Sequence, residues 1–549
     1  MANSAGEKMT GGQAIVRTLM KNGVDTVFGL PGVQLDNMFD ALYENQNSVR
    51  TLHTRHEQGA AYMALGYAQS TGKLGVCTVV PGPGVLNAAA ALSTAAASNV
   101  PVLCLTGQIP SYQIGLGLGI PHEIRDQQSA MRGVVKWVGR AESPAETPTV
   151  LRDGLRAMLA GRHQPGVFEM APDVMGKTEE VALLEPAAFD GDEALDAAAI
   201  DAAARLLGDA EKPAIFVGSG VFGAEAELLR VAELLEAPVV MSRTGRGAVR
   251  DDHYLAQGMI AGQGLWPDVD VVLVVGTRFL APALAWGRED EVKIVRIDID
   301  AEQAVKPRPA DHCIVASARA GLARLADGIE PHNRKRASRK TELNAIKQDV
   351  LGKLAALEPQ YGFAKVIRDE VPEDGILVTD VTQLATFTQN WMPIYRPRTL
   401  ITPGYQGTLG LGFPTGLGAQ VGNPDRKVVV ISGDGGFMFN VQELSTAVAH
   451  GINLVTIVFA DGAFGNVKRI QKDNFGGRNI AVELHNPDFV ALAESFGMFG
   501  IRAKSPDELR KAMRQAFDAG GPALIEVPVG ELPNIWTLIK RPPSQGLPS

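Results

Sequence analysis

The chain has 549 residues, of which 45% are hydrophobic and 21% charged, with a formal net charge of −9. That describes an ordinary globular protein with room for roughly three or four domains, and the acidic balance argues against nonspecific nucleic-acid binding. No run approaches the ~18 apolar residues of a membrane span. Met1 to Gly6 carries no apolar signal region, and the three cysteines, Cys77, Cys104 and Cys313, are an odd and sparse set that points to a reducing cytoplasm.

From about residue 9 to 182, helix and strand patterns alternate. Gly11-Gly12-Gln13 opens an amphipathic helix, Thr26 to Gly32 is a strand entering a turn, and Leu74 to Val80 and Val102 to Thr106 are buried strands. Cys77 and Cys104 fall inside these apolar runs and are read as core residues. Alternation of this kind predicts a doubly wound parallel sheet. The acidic, Pro-containing stretch Leu183 to Glu193 reads as a linker. A second α/β unit follows over 194–330, with strands at Ala214 to Gly218, Val239 to Met241, Val271 to Val275 and Lys293 to Ile299. The basic run Pro331 to Lys340 sits between two domain patterns, in a linker spanning 331–354, and is read as a solvated segment rather than an anion-binding patch. A third unit covers 355–535, and 536–549 is a short, Pro-rich, loosely ordered tail. The predicted fold class is therefore α/β, with three doubly wound parallel-sheet domains.

The strongest chemical signal lies in the third unit. The buried strand Val428 to Ile431 ends in Gly433-Asp434-Gly435-Gly436, and the apolar run Leu454 to Phe459 ends in Ala460-Asp461-Gly462. Neighbouring parallel strands set their C-terminal ends side by side, where open α/β sheets bind ligands. Two carboxylates there, with glycine amides and a helix N-terminus, suit Mg²⁺ and a diphosphate. A single Gly-Asp-Gly would usually be a surface turn. A second element, Thr54-Arg55-His56-Glu57-Gln58-Gly59-Ala60-Ala61, lies 377 positions upstream of Asp434 and changes the weighting. Its small residues allow close helix packing, and the Glu57 carboxylate is expected to be buried.

Together these elements resemble thiamine diphosphate (ThDP) enzymes of the acetolactate synthase, benzaldehyde lyase and benzoylformate decarboxylase group, from Thr10 to about Pro528. Ala460-Asp461 stands where the family usually has two asparagines. The resemblance implies a pyrimidine-binding, a central and a pyrophosphate-binding domain in that order. It implies that Glu57 shares a proton with pyrimidine N1′, which drives ylid formation, a task that suits a buried carboxyl. It places Mg²⁺ on Asp434, Asp461 and the Ala463 carbonyl. Cofactor contacts fall to Gly433, Gly435, Gly436, Phe464 and Gly465, to Thr382 and Gln383 after the strand Ile376 to Thr379, and to Pro31. Gly407 would accept the 4′-amino hydrogen, and Leu409 would prop the bent cofactor. Pro81-Gly82-Pro83-Gly84 and Asn87 match a loop that closes over the neighbouring subunit's cofactor, so a homodimer at minimum, and a homotetramer by family habit, is expected.

Substrate-facing positions depart from these relatives. Val33 is bulkier than the family's small residue and should narrow the pocket. Gln34 and His122 are the candidate proton relay. Lys136 matches a lysine of the synthases. The synthases' carboxylate-binding arginine is missing, since Arg278-Phe279-Leu280-Ala281-Pro282 stands in its place. The glutamate of pyruvate decarboxylases is replaced by Val467. FAD, carried by the synthases in the central domain, is left open on Gly218-Ser219-Gly220 and Gly276-Thr277-Arg278. The expected activity is a ThDP- and Mg²⁺-dependent carbon–carbon lyase or carboligase acting on a 2-oxo acid, aldehyde or acyloin. The alternatives are an FAD-containing acetolactate synthase subunit and a catalytically silent homologue.

Overall fold

Three six-stranded parallel sheets follow one another in the computed structural model, which describes residues 6–186, 195–288 and 290–540. The first sheet runs, in spatial order, Arg50–His53, Thr26–Gly29, Gly75–Val79, Val102–Gly107, Gly166–Met170 and Trp137–Arg140. The second runs Ala256–Gly258, Val239–Met241, Ala214–Val217, Val271–Val275, Lys293–Asp298 and His312–Val315. The third runs Leu400–Ile401, Ile376–Thr379, Val428–Gly433, Val455–Ala460, Ala523–Pro528 and Phe499–Arg502. Helices cover both faces of each sheet, so the central strands, such as Gly75–Val79, Val102–Gly107 and Val271–Val275, are buried on both sides, while edge strands such as Arg50–His53 and Phe499–Arg502 stay partly exposed. The central strands therefore read as continuous Val/Ile runs rather than alternating ones. Cys77 and Cys104 are buried partners on neighbouring strands and remain free thiols.

Numbered within its own domain, the first sheet has the strand order 2-1-3-4-6-5, and the third repeats it. In both, the order reverses between strands 1 and 3. A crevice therefore opens beyond the ends of Thr26–Gly29 and Gly75–Val79, and another beyond Ile376–Thr379 and Val428–Gly433. The helix after the second strand in each domain, Glu57–Thr71 in one and Gly412–Gly422 in the other, packs against its counterpart. A Cβ on Gly66 would overlap the Thr415 carbonyl, and one on Gly418 the Met63 carbonyl. This close crossing explains the run of small residues after Glu57.

The connection between the second and third domains differs from the solvated linker expected. Arg336 donates to the carbonyls of Leu207, Gly208 and Ala210 at 3.0, 2.8 and 2.7 Å, closing the end of helix Ala197–Asp209. Carbonyls of a last helical turn lack i+4 partners, the Leu207 carbonyl keeping one bond from the Ala210 N–H, and a guanidinium suits the negative end of the helix dipole. A 16-residue helix, Lys340–Ala355, follows; it buries Leu343 in the central core and Leu354 in the C-terminal core. Charge composition alone conceals such a role, because a capping arginine and a solvated one look alike in sequence. The expected acidic linker is described only to Pro186 and the expected tail only to Lys540; the remainder of each lies outside the described residues. Ile535–Leu538 is a turn of 3₁₀ helix with Ile535 buried.

Candidate active site

At the first crevice, strand Gly75–Val79 runs into Pro81-Gly82-Pro83-Gly84, and Pro83 starts helix Pro83–Ser98, where a missing N–H costs nothing. Gly82 has φ +60°, and a Cβ there would overlap the His122 carbonyl. Its N–H donates to Gln127 Oε1 at 2.8 Å. Gln127 in turn donates to the Gly107 carbonyl at 3.1 Å and to Glu169 Oε2 at 2.7 Å. Glu169 is wholly buried and paired with Arg140. A satisfied polar network thus holds the loop from beneath.

Four predicted residues meet above it. Gln34 Oε1 and His122 Nδ1 are 2.9 Å apart. Asn87 Nδ2 donates to Glu57 Oε2 at 3.1 Å. Glu57 is the first residue of its helix, and its side chain keeps 16% of its exposure, so it is less enclosed than expected. The helix start places it at the crevice mouth rather than in the helix–helix contact. Pro31 is exposed as well, and Val33 is 80% exposed on the turn Val33–Leu35, so within one chain it narrows nothing. Lys136 donates to the Ala160 and Arg162 carbonyls at 2.7 and 2.9 Å and serves as a structural staple.

At the second crevice, Asp434 is 2% exposed. Its Oδ1 accepts from the Gly435 N–H at 2.8 Å, and its Oδ2 accepts from the Gly462 N–H at 2.8 Å and Asn486 Nδ2 at 2.6 Å. Asp461 Oδ1 accepts from the Ala463 N–H at 3.1 Å. Burial, and then the neighbouring Asp434 charge, push the Asp461 carboxyl up to about 6. The glycines here are dictated by close approach. A Cβ on Gly435 would lie 2.8 Å from the Phe464 ring, one on Gly436 2.9 Å from Asp380 Oδ2, and one on Gly465 would overlap Asp461 and crowd Gln383. Thr382 packs on Gly433, and Gln383 Oε1 accepts from Arg469 at 2.9 Å. Gly407 has φ +60° in an exposed loop, Leu409 is half-buried two residues on, and Val467 is 49% exposed. Glu57 and Asp434 thus fall in two separate clusters.

Several residues of these clusters escaped sequence reasoning. Asp380 is 1% exposed and accepts from Gly412 N, Ser432 Oγ and Val381 N, while burial raises its carboxyl above the usual range. Its position at the end of strand Ile376–Thr379, beside Thr382, was the available signal. Gln127, Glu169 and Asn486 had none, because their partners are far off in sequence. The apparent substitutes for a substrate arginine are committed elsewhere. Arg278 donates to the Ala97 carbonyl at 2.7 Å and lies over the Tyr405 ring at 4.4 Å. Arg288 holds Glu291 and the carbonyls of Trp266 and Val269. Pro282 is buried in the short helix Leu280–Ala285.

The donor set fits a divalent cation with a diphosphate. Two carboxylates at the ends of neighbouring strands repel one another, which a cation reverses, and the glycine turn adds no side chain of its own, its Gly435 amide being held by Asp434 Oδ1. Among the described residues no group of three His, Cys, Asp or Glu side chains could hold a metal, so the remaining ligands would be backbone and ligand oxygens.

Three family models match the chain: "Thiamine pyrophosphate enzyme, N-terminal TPP binding domain" over residues 9–131, its central domain over 200–325, and its C-terminal TPP binding domain over 380–527. The chain belongs to the thiamine pyrophosphate enzyme family. It is similar to other such enzymes along nearly its whole length. The acetolactate synthase large subunit of Corynebacterium glutamicum is 31% identical, with 98% of this chain and 89% of the relative covered. The "Probable 2-ketoarginine decarboxylase AruI" of Pseudomonas aeruginosa is 32% identical, with 94% of each covered. Acetolactate synthase isozyme 2 large subunit of Escherichia coli is 31% identical, with 97% of each covered. This is a ThDP-dependent enzyme of the carboligase and decarboxylase kind. Among the described residues no helix is long and apolar enough to cross a membrane.

Proposed function

We propose that this enzyme uses ThDP and Mg²⁺ to cleave or form carbon–carbon bonds in 2-oxo acids or 2-hydroxy ketones, with a neutral aldehyde as the favoured acceptor. When bound, the cofactor supplies the carbon nucleophile and the electron sink for bonds next to a carbonyl. Asp434, Asp461 and the Ala463 carbonyl hold the metal, and the amides of Gly435 and Gly436, with Thr382 and Gln383, receive the diphosphate. Leu409 and the Gly407 carbonyl orient the pyrimidine, and Glu57 holds a proton at its N1′. Gln34 and His122 move a proton to or from the substrate oxygen.

Glu57 and Asp434 belong to different clusters, and exposed apolar side chains accompany each: Val33, Leu116 and Leu118 beside the first, Phe439, Val467 and Ile470 beside the second. Apolar groups clustered beside a polar crevice suit burial against a second copy. Each site is then completed by Glu57 of one chain and Asp434 of the other in a dimer, and those apolar residues exclude water.

The observation that carries the reading is the Asp434–Asp461 pair facing one another over the glycine turn. The neutral acceptor rests on Pro282, with Arg278 and Arg288 committed elsewhere. Incubation with ThDP, Mg²⁺ and a panel of 2-oxo acids and acyloins, with products identified by mass spectrometry, tests it; ThDP-dependent products are expected, and none from any member of the panel would overturn it. The second reading, an FAD-containing acetolactate synthase like the relatives of that name, is favoured by the central domain. A cleft of about 440 Å³ where it meets the other two domains is lined in part by Gly218, Ser219, Gly276, Thr277 and Arg278 and adjoins an aromatic one of about 430 Å³. A flavin spectrum in the purified protein would support it.

A further inference from the structure

Glu443 is a buried carboxylate that the proposed chemistry does not use. It is 0% exposed, on the C-terminal domain, yet three of its four hydrogen bonds reach the N-terminal domain. Oε1 accepts from the N–H groups of Arg55 and His56 at 3.3 and 3.0 Å; Oε2 accepts from Arg55 N–H at 3.1 Å and from Thr446 Oγ1 at 2.5 Å. The two amides immediately precede Glu57 and lie just ahead of the first turn of its helix. Burial raises the Glu443 carboxyl, opposed by these donors. Gly59, one turn into the same helix, is small because a Cβ there would lie 2.5 Å from Oε1. Glu443 also closes a continuous stretch, Asp434–Phe437 followed by Met438–Glu443, whose first residue is the metal-site carboxylate.

We propose that Glu443 is a positioning residue: it clamps the turn that carries Glu57 onto the segment that begins at Asp434, and so fixes where the Glu57 carboxyl points. An apolar residue would serve packing alone. A buried carboxylate costs desolvation, and it is offset here by the Thr446 hydroxyl and by two amides that belong to the Glu57 turn. In a dimer with shared sites, the clamp ties the segment that anchors one cofactor to the acid that serves the other. The inference rests on the ThDP reading above and adds to it a residue that touches neither cofactor nor substrate.

The test uses the full-length holoenzyme with ThDP and Mg²⁺. ThDP affinity is measured by calorimetry, and the rate at which bound ThDP exchanges its thiazolium C2 proton with deuterated water is measured by quench and NMR. Glu443→Gln keeps the shape and one acceptor. It should leave affinity within about threefold and slow exchange by ~10-fold or more, as misplacement of a proton-transfer group does. Glu57→Gln/Glu443→Gln should be no slower than Glu57→Gln, because residues acting through one another do not add. Gly59→Ala, which displaces the carboxylate from the other side, should reproduce the Glu443→Gln loss and keeps the test open if Glu443→Gln fails to fold. Native exchange in both Glu443→Gln and Gly59→Ala, or multiplicative losses in the double variant, would overturn the clamp. Native exchange in Glu57→Gln itself would instead overturn the underlying role of Glu57.

Discussion

Gln34 Oε1 and His122 Nδ1 lie 2.9 Å apart although 88 residues separate them. Gln34 follows strand Thr26–Gly29, and His122 is held in a left-handed turn with φ +69° against Gly82. An imidazole with one nitrogen engaged by an amide has its other nitrogen free to handle a proton. His122→Ala is expected to lower kcat by ~10²-fold or more, within the range for positioned proton transfer. Gln34→Leu should lower it less, because the imidazole remains. Steady-state kinetics on the substrate found in the screen, with ThDP affinity measured in parallel, checks both.

The two carboxylates proposed to hold the metal should behave differently. Asp434 also carries the Gly462 amide and Asn486, so Asp434→Ala should weaken Mg²⁺-dependent ThDP binding by ~100-fold or more. Asp461→Asn keeps an oxygen toward the metal and removes a charge repelled by Asp434, and should change affinity only slightly. Calorimetry with ThDP and Mg²⁺ decides; loss of binding in Asp461→Asn would mean that its charge is required.

Pyruvate self-condensation to acetolactate should be poor. Pro282, which the resemblance sets at the position of a carboxylate-binding arginine, is buried, and Arg278 and Arg288 are committed to other partners. A second pyruvate carboxylate would lack its charged hydrogen bond, which typically costs ~1.5–3 kcal/mol. Product analysis with pyruvate alone, against pyruvate plus an aldehyde, should show the mixed acyloin in excess. Acetolactate as the dominant product would favour the synthase reading.

The crossing of helices Glu57–Thr71 and Gly412–Gly422 leaves no room for a methyl group. Gly66→Ala should lower unfolding stability by ~1–3 kcal/mol or more, since backbone on the far side cannot yield. Denaturant unfolding measures this directly.

Much of this architecture was legible in the sequence because its signals are local. Strands buried on both faces read as unbroken Val/Ile runs, and the turn Gly433 to Gly436 announces itself through glycines that crowding by Phe464 and Asp380 makes necessary. What stayed hidden was long-range. Glu443, Asn486 and the Gln127–Glu169 pair acquire meaning only from partners that folding brings to them. The capping role of Arg336 is likewise invisible in a basic run. Val33 was read against a closed pocket, which one chain alone does not form.

The shared site itself can be tested by mixing two defective chains, Glu57→Gln and Asp434→Ala. If each site draws Glu57 from one chain and Asp434 from the other, a mixed dimer carries one doubly damaged site and one intact site. Each variant alone should then be nearly inactive, and an equal, randomly paired mixture should recover about a quarter of native turnover. A mixture as inactive as its parents, with mixed dimers verified by mass spectrometry, would contradict a site built across two chains.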